Sequence, residues 1–192
     1  PVATYVVGED KRRRVYNFVR RQVEQGLQVS LICPAVEEAS AEWSGPPAMD
    51  LKAVTTYARQ LQTEIFPDLR VGLLHGRMKP REKEAAMAAF ASGRTQVLVS
   101  TTVVEVGVDV PNASLVVIEN ADRFGLSQLH QLRGRVGRGS EKSYCVLFSS
   151  NKNPETVQRL KALCRTNDGF RIAEEDLNLR GPGDFFGSRQ HG

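Results

Sequence analysis

Along the first 150 residues the apolar positions switch repeatedly between a strand-like and a helix-like spacing, and the switching lays out an order of elements. Residues 4–7 form a short β-prone run. From Asp10, a plausible cap, a basic segment follows in which Val15, Phe18, Val19 and Val23 recur at helical spacing until Gly26 stops it. Residues 27–33 are apolar and end at Pro34, the pattern of a central parallel strand covered on both faces. Residues 37–47 carry Glu37, Glu38, Trp43 and Ser44-Gly45-Pro46-Pro47 without any period and read as a surface loop, with Trp43 either docking a partner or packing locally. Asp50 can cap the next helix, whose stripe is Leu51, Val54, Ala58, Leu61 and Ile65 and whose end is Pro67-Asp68. Residues 71–74 are the next strand. His75-Gly76-Arg77-Met78 stands at its C-terminal edge, and Pro80 at a first helical position opens a helix bearing Ala85, Met87 and Phe90 up to Gly93. Strands at 96–100, 115–118 and 143–148 complete the series, with Thr101-Thr102 closing the first of them and 103–111 leading into the second. The alternation predicts an α/β fold, a parallel sheet of about six strands with helices on both faces.

After Ser149 the texture changes. Asn153-Pro154-Glu155 starts a helix with Val157, Leu160 and Leu163 inward, Asn167-Asp168-Gly169 breaks it, and residues 170–192 are glycine-rich, charged and aromatic. This predicts a core over residues 1–150 and a C-terminal helical hairpin over 151–192, ending inside a longer protein.

Composition narrows the class without naming a function. Of the 192 residues, 41% are hydrophobic and 25% charged, which suits a single packed core and argues against extensive disorder. The net charge of +4 permits nucleic-acid contact without demanding it. Cys33, Cys145 and Cys164 are scattered among apolar neighbours with no C-x-x-C spacing, so they are expected to be reduced core residues of a cytosolic protein. The three histidines are too dispersed for a local metal motif. The longest purely aliphatic run is residues 115–118, so no membrane span is expected.

The most specific stretch runs from Gln128 to Gly139, in which Arg133, Arg135 and Arg138 alternate with Gly134, Gly137 and Gly139. Ser127 can cap a helix whose Leu129, Leu132 and Val136 share a buried face, leaving Gln131, Arg135 and Arg138 outward, while Arg133 turns toward a partner domain or a local carboxylate. A pair of guanidinium forks suits the spread charge of a phosphoryl group in transfer. A basic helix beside a glycine turn is the plainer alternative. No G-x-x-x-x-G-K-[S/T] loop and no acidic strand end for Mg²⁺ accompany the arginines, so the chain reads as one half of a composite ATP site. His75, Gly76 and Arg77 are either contacts to a phosphate backbone or an ordinary strand-to-helix turn.

Taken in order on a parallel α/β frame, Thr101-Thr102, Gly107-Val108-Asp109 and Gln131-Leu132-Arg133-Gly134-Arg135-Val136-Gly137-Arg138 resemble the second RecA-like domain of superfamily-two helicases. The resemblance covers residues 4–150. It implies that Gly107 and Asp109 approach ATP, that Arg135 and Arg138 act as arginine fingers with Gln131 linking nucleotide to motor, and that Thr101 and Thr102 meet the DNA backbone. Leu132 stands where many members carry arginine. The segment 118–138, together with Arg180-Gly181-Pro182-Gly183-Asp184-Phe185-Phe186-Gly187 and Gln190, is most similar to the RecG family of branched-DNA helicases and less so to the transcription-repair coupling translocases. That likeness implies a translocation motif at Arg180, Gly181, Gly183, Phe185 and Gln190. It also implies branched double-stranded DNA as partner, a first RecA-like domain that holds ATP and Mg²⁺, a wedge domain elsewhere in the same protein, and a bacterial cytoplasmic, nucleoid-associated location.

Overall fold

In a computed structural model of the chain, residues 2–34, 51–101, 110–167, 169 and 171–172 are described. Six strands form one sheet: β1 (Ala3–Val7), β2 (Gln28–Cys33), β3 (Val71–Leu74), β4 (Val97–Thr101), β5 (Ala113–Ile118) and β6 (Tyr144–Phe148). Their spatial order is β1-β6-β5-β2-β4-β3, and every pairing is parallel. All the strand C-termini therefore lie along one edge of the sheet and all the N-termini along the other. This is the expected fold class.

The central strands are buried residue by residue because both faces are covered. β2, β4 and β5 are buried throughout, which is why they read as continuous apolar runs rather than alternating ones. Within β5, Val116 and Ile118 enter one core layer while Leu115 and Val117 enter the other. Helices α1 (Arg12–Glu24) and α2 (Leu51–Gln60), the latter prolonged by a π-helical turn at Leu61–Ile65, supply Val15, Val19, Val23, Val54, Ala58 and Leu61 to one layer. Helices α3 (Pro80–Ala91), α4 (Leu126–Arg133) and α5 (Pro154–Arg165) supply Phe90, Leu126, Leu129, Leu132, Leu160 and Leu163 to the other.

Several local signals behave as the residues dictate. Gly26 and Gly93 adopt φ of +83° and +85° just past α1 and α3, the left-handed stop that a side chain would resist. Asn153 caps α5 by accepting from the Glu155 amide at 2.9 Å, with Pro154 at the first turn. Others differ. The start of α1 is a 3-10 turn at Glu9–Lys11 that places Lys11, not Asp10, at the helix boundary. Ala85 faces solvent, since α3 turns Phe90 inward instead. Cys33 and Cys145 are buried as expected, but Cys164 is exposed because its neighbour Leu163 takes the inward position on α5. Burial pushes the Cys145 thiol up to about 12 and raises Cys33 further still, so neither is a reactive thiolate at neutral pH. Asp50 and Trp43 lie outside the described residues.

Candidate functional site

The C-terminal edge of the sheet carries one group of the expected site residues. β3 and β4 are neighbours, with Leu74 opposite Ser100, so the turn after β3 and the end of β4 sit side by side. In that turn the His75 amide donates to the Met78 sulfur at 3.2 Å, the Arg77 amide donates to His75 Nδ1 at 3.2 Å, and the Met78 amide donates to the His75 carbonyl at 3.3 Å. These bonds shape a compact loop in which Arg77 is exposed while His75 and Gly76 are half-buried. Thr101 closes β4 opposite Cys33 and is fully buried. Thr102, Gly107 and Asp109 lie outside the described residues.

The same edge holds a cluster that sequence reading passed over. Glu119 follows β5 directly, its amide donating to the Ile32 carbonyl at 2.8 Å, and its carboxylate is nearly buried. Arg12 meets that carboxylate with two forks, at 2.7 and 2.8 Å, and turns its Nε and Nη2 to Glu9, both at 2.7 Å. Tyr57 donates to Glu119 at 2.7 Å and bonds the Tyr16 hydroxyl at 2.7 Å, while the Phe148 ring lies 4.0 Å from the guanidinium carbon of Arg12. Burial pulls the Arg12 guanidinium down, but the bonds to Glu119 and Glu9 outweigh it and hold it above the ordinary value. An open groove of ≈ 670 Å³ lies between α1 and α2 over this cluster. The basic run Lys11-Arg12-Arg13-Arg14 hid Arg12, since one member of a charge run looks like any other. A carboxylate directly after the apolar run at residues 115–118 was the available signal.

The arginine segment lies at the opposite edge. α4 begins at Leu126 with Gly125 as its boundary residue, so Ser127 sits inside the first turn and caps nothing. The helix ends at Arg133; Arg135 and Arg138 therefore stand on the loop beyond it rather than one helical turn apart. Gly137, at φ +90°, bends that loop so tightly that a Cβ there would meet Val2 at 2.9 Å. A Cβ on Gly139 would come within 2.4 Å of the Pro111 carbonyl, closer than any real contact. Val2 and Pro111 precede β1 and β5, so the loop is seated against the N-terminal edge of the sheet. Gln131 and Arg138 are exposed and Arg135 is half-buried; desolvation alone lowers the Arg135 guanidinium from its ordinary value. The structure thus places Gln131 in the last turn of α4 and Arg135 and Arg138 on the loop just beyond it. It separates them from His75–Arg77 and Thr101 by a strand length, roughly 17–20 Å.

Arg133 departs most from expectation. It turns neither toward a carboxylate nor outward, but is the largest fully buried side chain among the described residues, 2% exposed. It donates to the Leu163 carbonyl at 2.6 Å and to Thr4 Oγ1 at 3.2 Å, and contacts His130 Nδ1 at 2.9 Å. As the last residue of α4 it points along the buried flank that Leu129 and Leu132 define, where β1 and α5 close over it.

Residues 10–140 match the helicase conserved C-terminal domain. The chain belongs to that family. Residues 166–192 match the C-terminal part of domain 3 of the ATP-dependent DNA helicase RecG. This helicase C-terminal domain is 53% identical over 192 residues to the RecG helicase of Synechocystis sp. and 46% identical over 194 residues to that of Escherichia coli K12. All of the chain is covered in both, but only 22% and 27% of those relatives, so it spans about a quarter of their length. A solved structure of RecG bound to a three-way DNA junction superposes with a TM-score of 0.76 at 43% identity, over 96% of this chain and 23% of that one. Domain 2 of the DEAD-box helicase Mss116p, solved on an RNA duplex, shares the fold alone, at 18% identity and a TM-score of 0.64 over 93% of this chain and 69% of that one. The helicase C-terminal domain described here is thus homologous to the RecG domain, and its six-stranded parallel sheet is RecA-like. Among the described residues no helix is long and apolar enough to cross a membrane.

Proposed function

We propose that this chain is the second motor domain of an ATP-dependent double-stranded DNA translocase that acts on branched DNA, as at stalled forks and recombination intermediates. The observation that carries the reading is the loop at the N-terminal sheet edge, which presents half-buried Arg135 and exposed Arg138 with Gln131 beside them and no phosphate-binding loop in the same chain. ATP held with Mg²⁺ by a first motor domain supplies the phosphoryl transfer. Two guanidinium forks on a glycine-bent loop fit a phosphate chain arriving from outside. They do not fit a metal. Among the described residues no group of three or more His, Cys, Asp or Glu side chains is placed to hold one; the Mg²⁺ ligands are assigned to the first domain on the family likeness. Partial desolvation of Arg135 strengthens its pull on a negative charge compared with the same group in water. Gly107 and Asp109 are assigned to the nucleotide on the family likeness.

In this reading His75, Gly76, Arg77 and Thr102 serve the DNA backbone, away from the nucleotide loop, while Thr101, fully buried, supports the edge rather than touching DNA, and the contacts are largely independent of base sequence. Residues 1–150 form the motor core. Residues 151–192 are assigned to the hairpin on the family likeness, and Arg180, Gly181, Gly183, Phe185 and Gln190, which lie outside the described residues, are proposed to turn closure of the ATP site into movement. A wedge domain elsewhere in the polypeptide opens the branch. The test is ATP turnover on forked DNA. The full-length protein should hydrolyse ATP and lose about 10³-fold or more with Arg135→Ala or Arg138→Ala, while DNA binding is largely kept. The 192-residue chain alone should not hydrolyse ATP; turnover by it that survives Arg138→Ala rejects the reading.

A further inference from the structure

The loop that carries Arg135 and Arg138 leaves α4 immediately after Arg133, so whatever fixes Arg133 fixes where that loop departs. Three elements hold it. Its guanidinium reaches Leu163 in the last turns of α5, Thr4 in the edge strand β1 and His130 on its own helix. Two are remote in sequence, 129 and 30 residues away, and belong to different elements. Among the described residues no carboxylate pairs with it; all three partners are neutral. Since arginine only donates, His130 Nδ1 accepts, which places the imidazole proton on Nε2. Burial accordingly lowers the guanidinium from its ordinary value, although it stays charged.

A buried cation without a counter-charge is an expensive way to fill space, because the desolvation that an ion pair would offset is met here only by dipoles. A leucine or methionine could pack the same gap. What guanidinium adds is a rigid planar fork that reaches a carbonyl of α5, a hydroxyl of β1 and an imidazole of α4 at once, a geometry neither lysine nor an apolar chain supplies.

We infer that Arg133 is a positioning residue for the arginine pair: it pins the end of α4 to β1 and to α5, and so sets the position and angle at which Arg135 and Arg138 meet the transferring phosphate. The inference rests on the nucleotide role proposed for Arg135 and Arg138. Arg133 itself touches no nucleotide. Its substitution therefore loosens the pair without removing a ligand of the ground-state nucleotide, and a displacement of about 1 Å is enough to cost on the order of 10²-fold in rate.

The test is steady-state ATP hydrolysis by the full-length protein on a forked DNA, with Arg133→Met, Arg133→Lys and Arg135→Ala measured beside the parent, and melting temperature followed for each. Arg133→Met should lower kcat by at least about tenfold while KM for ATP stays within about twofold, the signature of lost transition-state alignment rather than lost binding. Arg133→Lys should recover little, because a compact ammonium does not reproduce the spacing of the two guanidinium nitrogens that reach these acceptors. A normal kcat in Arg133→Met, or full recovery with lysine, overturns the inference. So does a kcat loss matched by an equal rise in KM. If Arg133→Met does not fold, Arg133→Lys carries the same comparison, and failure of both to fold shows that the bonds hold the domain rather than the pair. If the parent protein shows no DNA-stimulated hydrolysis, it is the motor reading that has failed; if the parent turns over, Arg135→Ala does not, and Arg133→Met is normal, only this inference has.

Discussion

Arg12 and Arg133 are both withdrawn from solvent, one at each edge of the same sheet, yet their surroundings are opposite in kind. Arg12 is enclosed by charge: Glu119 on one side, Glu9 on the other and the Phe148 ring beneath. Arg133 is enclosed by neutral acceptors from α4, α5 and β1. The first guanidinium is held above its ordinary value and the second below it. A compensated cation can act as a lock, joining the start of α1, the hydroxyl of α2 and the end of β5 into one unit. An uncompensated cation is a weak way to gain stability, so its place beside the arginine loop is better explained by geometry than by energy.

The comparison breaks most readily at Glu119. Glu119→Ala leaves the partly buried Arg12 with only the exposed Glu9 and should cost about 3 kcal/mol, the low end for breaking a buried pair, read as a lowered urea midpoint at unchanged slope. Arg133→Met, which strands no charge, should cost clearly less in the same measurement; the reverse order would show that the two centres were assigned the wrong way round. Next in size is Tyr57→Phe, which removes a 2.7 Å donor to the Glu119 carboxylate and should cost about 2 kcal/mol.

Tyr57 also sets a pH limit. Burial first, and then the neighbouring Glu119 charge, hold its hydroxyl well above the ordinary tyrosine value of 10.0. A group raised in the folded state contributes fully below its unfolded value and loses that contribution as pH climbs beyond it. Stability should therefore fall above pH 10 in the parent and fall less in Tyr57→Phe, followed by thermal melts across that range.

The smallest effect belongs to the exposed side of the Arg12 cluster. Its hydrogen bond to Arg12 lowers Glu9 below the ordinary carboxylate value of 4.5, so what Glu9 contributes is present above that value and lost as pH falls below it. Since Glu9 is largely solvated, Glu9→Gln should cost only about 0.5 kcal/mol and less still in high salt. A cost near that of Glu119→Ala would mean that the lock is a three-membered unit.

Local rules wrote much of this molecule. Continuous apolar runs marked β2, β4 and β5 because a parallel sheet covered on both faces leaves no strand position wet. Gly26, Gly93, Pro80 and Asn153 marked helix ends because left-handed backbone, a missing amide and a side-chain cap are properties of single residues. The arginine-glycine segment suggested phosphate chemistry from residue type alone, since the guanidinium fork is chemistry carried by one side chain, and that role stands as a proposal. What the sequence could not decide was where those residues would face. Arg133, Arg135 and Arg138 are the same residue type within six positions, with Arg135 and Arg138 expected on an outward helical row and Arg133 toward a partner domain or a carboxylate; α4 stops at Arg133, which is buried, and the other two stand on a loop. That outcome depends on Thr4 and Leu163, 129 and 30 residues away, which meet Arg133 only once β1 has paired with β6 and α5 has crossed back. Glu119 and Arg12, 107 residues apart, are the same case. Spacing along a chain encodes which face of an element is apolar; which polar group will stand opposite is a property of the assembled sheet, and only the tertiary structure could supply it.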